Sequence, residues 1–129
     1  ILESEIHNSL VAEGSDITGA RIHDSVVGLR SVVRPGARLT RVILQGADYY
    51  AGEEPLDARV VPPADAPPLG IGEDSVLEEA IVDKNARIGR GVVVTPKPRG
   101  TEIEGANYWV RDGITVFPKG AVVPDGTII

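Results

Sequence analysis

Residues 80–89 read AIVDKNARIG, and the fold is decided there. Aliphatic side chains recur every six positions at Val82, Ile88 and, just beyond, Val94. Two positions before each stands a small or apolar residue: Ala80, Ala86 and Val92. Residues two apart in an extended chain point to the same side. Each six-residue unit therefore aims one small and one aliphatic side chain inward and then turns a corner. Lys84, Arg87 and Arg90 fall between these positions and are expected to face water.

The same rhythm runs upstream. Ile6, Val11, Ile17, Ile22, Val27, Val33 and Leu39 are spaced by five or six, and Ser or Ala stands two places before each. Apolar residues do not recur at three and four, so an amphipathic helix is excluded. Gly14, Gly19, Gly28 and Gly36 are expected at corners that need positive φ. Short extended pieces at this period predict an all-β domain, a β-helix of hexapeptide repeats with three faces per coil and about 17 or 18 residues per turn. Residues 46–70 interrupt the pattern with Pro55, Pro62, Pro63, Pro67 and Pro68, and are expected to form a long loop anchored by Tyr49 and Tyr50. The coils resume with Ile71, Val76, Val82, Ile88 and Val94. A second excursion spans about 95–113, after which Val116, Val122 and Ile128 are expected to close the stack. The units amount to about five coils and a column of roughly 25 Å. Its end coils expose unpaired backbone edges that need covering by a neighbouring domain or subunit.

Composition suits a narrow aliphatic interior. Among 129 residues there is one Trp, one Phe and three Tyr, no Met and no Cys, against 15 Gly and 10 Pro. The chain is long enough for one domain, 1–129, with a real core. The absence of cysteine excludes a disulfide framework and thiolate metal sites. A net charge of −6 argues against nucleic acid as a partner, and no apolar run approaches a membrane span. Ile1 in place of an initiator Met gives the expectation of a domain excised from a longer protein.

Catalytic groups are not assembled by the sequence. Nucleophilic catalysis needs a nucleophile, a base and an orienting group, yet there is no Cys and no GxSxG. His7 and His23 lie at outward positions beside Ile6 and Ile22 and are read as solvated surface residues. They do not supply the three-histidine zinc site of a carbonic anhydrase or the catalytic His and groove of an acyltransferase. The pairs Glu53-Glu54, Glu73-Asp74 and Glu78-Glu79 point to opposite faces and are given no role. No catalytic residue and no metal ligand is assigned.

Five motifs in order are SVVGLRS (25–31), GADYY (46–50), GIGEDS (70–75), AIVDKNARIG (80–89) and WVRDGITVFPKGAVVPDGTII (109–129). Together they resemble the C-terminal domain of ADP-glucose pyrophosphorylase (glucose-1-phosphate adenylyltransferase), most closely the forms of plants, algae and cyanobacteria. The resemblance implies a left-handed β-helix that regulates and oligomerises an enzyme making ADP-glucose and pyrophosphate from ATP and glucose 1-phosphate. It implies a separate N-terminal catalytic domain that uses Mg2+, other subunits in a tetramer, and small phosphorylated effectors as partners. The compartment would be the plastid for a plant or alga and the cytoplasm for a bacterium. Lys84 and Lys119 match the family lysines that bind the activator 3-phosphoglycerate, with orthophosphate competing. Arg111 and Arg30 match two further basic positions. A small polyanion calls for several ammonium and guanidinium donors converging at a surface.

Three residues depart from the family pattern: Pro118 before Lys119, Gly120 after it, and Asp112 after Arg111. Asp112 is expected to weaken an anion site near it. Two other readings stand beside this one, a purely structural β-helix interaction module and a hexapeptide-repeat acyltransferase.

Overall fold

A computed structural model describes residues 1–50 and 65–129. All regular structure among them is strand. The first coil is β1 (Glu5–His7), β2 (Leu10–Val11) and β3 (Asp16–Ile17). The second is β4 (Arg21–His23), β5 (Val26–Val27) and β6 (Val32–Val33). The third is β7 (Arg38–Leu44) and, after the first excursion, β8 (Gly70–Ile71). The fourth is β9 (Val76–Val82) and β10 (Arg87–Ile88). The fifth opens with β11 (Val93–Val94), leaves the column through β12 (Ile103–Glu104) and β13 (Trp109–Arg111), and returns as β14 (Ile114–Phe117) and β15 (Val122–Val123).

Successive coils pair in parallel. Glu5 lies beside Arg21 and Arg21 beside Arg38, so a coil takes 16 and then 17 residues. That is slightly tighter than a strict hexapeptide repeat, because some inward positions are five apart rather than six. β7 and β9 run unbroken around a corner at Arg41 and Glu79, both with positive φ, and so join two faces into one sheet. The third face stacks β3, β6, β8, β10 and β15.

The core is the inward column the spacing called for. Ile17, Ile22, Val27, Val33, Leu39, Ile71, Val82, Ile88 and Val94 are buried, while Ile6 and Val11 of the first coil are partly covered. Four expectations were out of phase by one residue. Leu77, Phe117 and Val123 are buried where Val76, Val116 and Val122 were expected, and Ile129 packs on the core while Ile128 is exposed. The true inward residues carry the small partner two places earlier: Ser75 before Leu77, Thr115 before Phe117, Ala121 before Val123. Asp74, Ile114 and Gly120 precede the wrong ones.

The small partners have a hydrogen-bonding reason as well as a steric one. Ser25 Oγ accepts from the Val42 amide and Ser75 Oγ from the Val92 amide, each 3.1 Å, one coil on. These hydroxyls satisfy backbone donors that the corners leave without a strand partner.

Corners align in columns of left-handed residues. One column is Glu3, Gly19, Gly36, Asp74, Gly91 and Gly126, all with positive φ. Gly28, expected among such corners, is instead constrained by close approach: a Cβ there would meet Gln45 O at 2.4 Å. Its corner is turned by Arg30, φ 55°.

The second excursion is not a bare loop. β12 pairs antiparallel with β13, and β13 with β14, extending the sheet sideways. Of the first excursion, 46–50 and 65–70 are described, and the rest of that expectation lies outside the described residues. No helix among the described residues is long and apolar enough to cross a membrane.

Candidate anion-binding corner

Lys84 and Lys119 are brought together by the coil repeat. The Gly120 amide donates to Lys84 O, and the Asn85 amide to Gly46 O, which stacks Gly46, Lys84 and Lys119 on one corner of successive coils. Gly14, Arg30, Asn85 and Gly120 turn this corner with φ of 75°, 55°, 61° and 73°. Gly120 thus supplies the same backbone conformation as Asn85, and glycine adopts it without steric cost. Pro118 O accepts from the Ala121 amide at 3.0 Å, closing a turn with Lys119 at its second position. Pro118 and Gly120 are therefore compatible with an exposed Lys119 on this corner.

Between the two ammonium groups sits Asp48. Lys84 Nζ is 3.4 Å from Asp48 Oδ1, and Lys119 Nζ is 3.7 Å from Asp48 Oδ2. Asn85 holds the carboxylate in place: its Nδ2 donates to Asp48 Oδ2 at 3.0 Å, and its Oδ1 accepts from the Asp48 amide at 2.8 Å. The Asp48 carboxyl is held below its ordinary range, first by the Asn85 hydrogen bond, which outweighs the opposing effect of burial, and then by Lys84 and Lys119. Asp48 belongs to GADYY, a stretch read only as a loop anchor. The signal that could have found it is its place, two residues beyond Gly46, which holds the corner position that Lys84 and Lys119 share.

The neighbouring side chains brace the departing chain. Arg87, expected in open water, is half-buried, with Nη1 donating to Pro67 O at 3.2 Å and Nη2 to Tyr49 Oη at 3.5 Å. It clasps both ends of the first excursion to the fourth coil. Tyr49 is buried with Ala47 and Leu69, whereas the Tyr50 ring is exposed and lies beneath the Arg30 guanidinium at 5.8 Å.

Arg30 reaches the edge of this corner, its Nε donating to Ala47 O at 3.1 Å, one residue from Asp48. Arg111 is not brought there. It lies across from Ile114, separated from the corner by the length of β14, about 10 Å. Its guanidinium pairs with Glu102 and Glu104 and packs over Trp109. Asp112 turns with it, accepting from the Gly100 amide at 2.6 Å, and so does not sit beside the lysines.

The histidines lie at the surface and next to each other. His7 and His23 stack on adjacent coils with ring centroids 5.0 Å apart, and Glu5 Oε1 lies 3.2 Å from His7 Nε2. Both remain at the surface, His7 exposed and His23 partly so, and the register places one above the other.

Comparison with known proteins agrees with the coil geometry. Residues 1–128 match the model of the GLGC left-handed parallel β-helix domain. All of the chain is 38% identical, over 131 aligned positions, to the chloroplastic/amyloplastic small subunit of glucose-1-phosphate adenylyltransferase from Triticum aestivum. It spans 27% of that relative's length. The parallel coils, the inward aliphatic ladder and the family match lead to one assignment: the chain belongs to the GLGC left-handed parallel β-helix domain family.

Proposed function

We propose that the chain is the C-terminal regulatory and oligomerising domain of an ADP-glucose pyrophosphorylase. The parent enzyme makes ADP-glucose and pyrophosphate from ATP and glucose 1-phosphate for starch or glycogen synthesis. Lys84 and Lys119 bind a small phosphorylated carboxylic acid, 3-phosphoglycerate, with orthophosphate as competitor, and Arg30 flanks them. Catalysis, and the magnesium that ATP-dependent transfer calls for, belong to a separate nucleotidyltransferase domain. Among the described residues, the group able to surround a metal contains two imidazoles, a donor set ill suited to magnesium.

One observation carries the reading: two ammonium groups from successive coils already share a single carboxylate, Asp48. A corner that clamps one oxyanion from its own chain has the charge and spacing to clamp another. The effector then displaces Asp48 and frees the first excursion from its anchor, which gives binding a means to change the surface facing the catalytic domain.

The test is a 3-phosphoglycerate titration of ADP-glucose synthesis by the parent enzyme carrying Lys84→Ala or Lys119→Ala. Each charge-assisted contact is worth roughly 1.5–3 kcal/mol, so half-activation should move at least about tenfold. An unchanged half-activation concentration in both variants overturns the site.

The purely structural alternative draws on the same carboxylate, since Asp48 also serves as a foot for the excursion. Asp48→Asn separates the two, as argued below.

A further inference from the structure

On the opposite end of the column, the first two coils place three ligating side chains on one outward patch. His7 pairs in register with His23, and Glu5 precedes His7 by two residues on the same strand, so all three project from the same face. Their ligating atoms all lie within 4.8 Å of one another. The His7 Nε2 to Glu5 Oε1 separation of 3.2 Å matches the ligand-to-ligand edge of about 3.3 Å in a tetrahedron with zinc–ligand bonds of 2.0–2.1 Å. His23, partly buried on the second coil, is the third ligand.

We propose that Glu5, His7 and His23 form a surface site for a zinc-type divalent transition-metal ion. Two imidazoles and one carboxylate are a donor set for zinc, and three protein ligands leave the fourth position to water. Arg21 Nε lies 3.5 Å from Glu5 Oε2. It engages the second carboxylate oxygen and leaves Oε1 for a single metal bond, the kind of outer support that orients metal ligands. The site is confined to these two coils. The next rung up places Arg38 beside Arg21 and Thr40 beside His23, one repelling a cation and the other a poor ligand. A bound ion staples the first coil to the second across their parallel pairing. This proposal is independent of the anion-binding corner and draws on none of its residues.

The experiment is calorimetric titration of ZnCl2 into the chain in a non-chelating buffer with excess MgCl2, alongside Co2+ absorption spectra. Expected are one ion per chain, no competition from magnesium, and an intense tetrahedral cobalt band. His7→Gln and His23→Gln should each weaken binding by at least about tenfold. Zinc should raise the melting temperature of the parent chain and not of these variants. Glu5→Gln, which keeps both imidazoles, provides a third variant should either histidine substitution fold poorly, and it too should weaken zinc. Failure to reach saturation in the parent chain, or undiminished affinity in the His7→Gln/His23→Gln double variant, overturns the proposal.

Discussion

Asp48 stands between the ammonium groups of Lys84 and Lys119, and one substitution distinguishes a competitor of the proposed effector from a plain anchor. Asp48→Asn keeps the shape and removes the charge that both lysines face. If Asp48 competes with the effector, the variant should require less 3-phosphoglycerate for half-activation, by about tenfold for the loss of one charge-assisted contact of roughly 1.5 kcal/mol. If it is only an anchor, the requirement stays the same or rises. A second prediction concerns its proton. The Asn85 hydrogen bond is the largest cause of the depressed Asp48 value, ahead of Lys84 and Lys119. Asn85→Gly deletes the amide and tolerates the φ of 61° at this corner. Carboxyl carbon titration by NMR should then show Asp48 rising toward its ordinary 3.8. Because the folded value is depressed, the stability that Asn85 lends through this carboxylate is present above about pH 3.8 and disappears as pH falls through the lower, folded value. The stability gap between the two proteins should narrow over that acid window, and a gap of constant size would mean that the carboxylate is not its source. At this scale the sequence was partly legible. Lys84 and Lys119 stood out by charge and by motif, but Asp48 precedes Lys84 by 36 residues and Lys119 by still more, and no local pattern announces a partner so distant.

Along a single strand, the choice between two adjacent side chains becomes measurable. Phe117 is fully buried and meets Tyr108 at 6.3 Å between rings, while its neighbour Val116 is half-buried on the outward side. Phe117→Ala should cost about 3–5 kcal/mol in urea unfolding, read as a lower midpoint at unchanged slope. Val116→Ala should stay near 0.5 kcal/mol. The reverse order would place the strand one residue out of register and turn every side chain of β14 over. That phase is what the aliphatic spacing alone left open at Val76, Val116 and Val122, since a run such as Val122-Val123 offers two candidates for one inward place. The small residue two positions earlier settles it, because Ser or Ala must tuck inside the corner. Corners were legible where glycine marks them, as at Gly36, and illegible at Asp24, Arg30, Arg41 and Glu79, which take positive φ with side chains that give no such notice. The repeat period, by contrast, could be read without the structure because stacking forces each coil to repeat the one below. The antiparallel strands of the second excursion obey no such period.

For the molecule as a whole, the outward side of one face is as regular as the inside. Leu10, Val26, Ile43, Ile81 and Val116 lie in register on five successive coils. Leu10 is 72% exposed, and Val26 and Ile43 are each 43% exposed. At about 4.8 Å per rung they make an apolar stripe roughly 19 Å long. A monomer gains nothing by facing such a stripe to water, and contiguous exposed apolar surface marks a contact region. Oligomerisation through a second copy of this face would bury the stripe against itself. In an isologous contact, one substitution acts twice, once from each subunit. Ile43→Glu in the parent enzyme should therefore place two carboxylates at the centre of the contact and shift sedimentation velocity profiles toward a smaller species. Ile128→Glu, equally apolar to charged but off the stripe and 79% exposed, should leave the profile as it was. An assembly untouched by Ile43→Glu would locate subunit contacts on another surface, and the stripe would then be expected to lie against the catalytic domain of its own chain. Reduced effector response in that variant without any change in assembly would identify this second arrangement, because the face that the stripe covers is continuous, through β9, with the corner that carries Lys84.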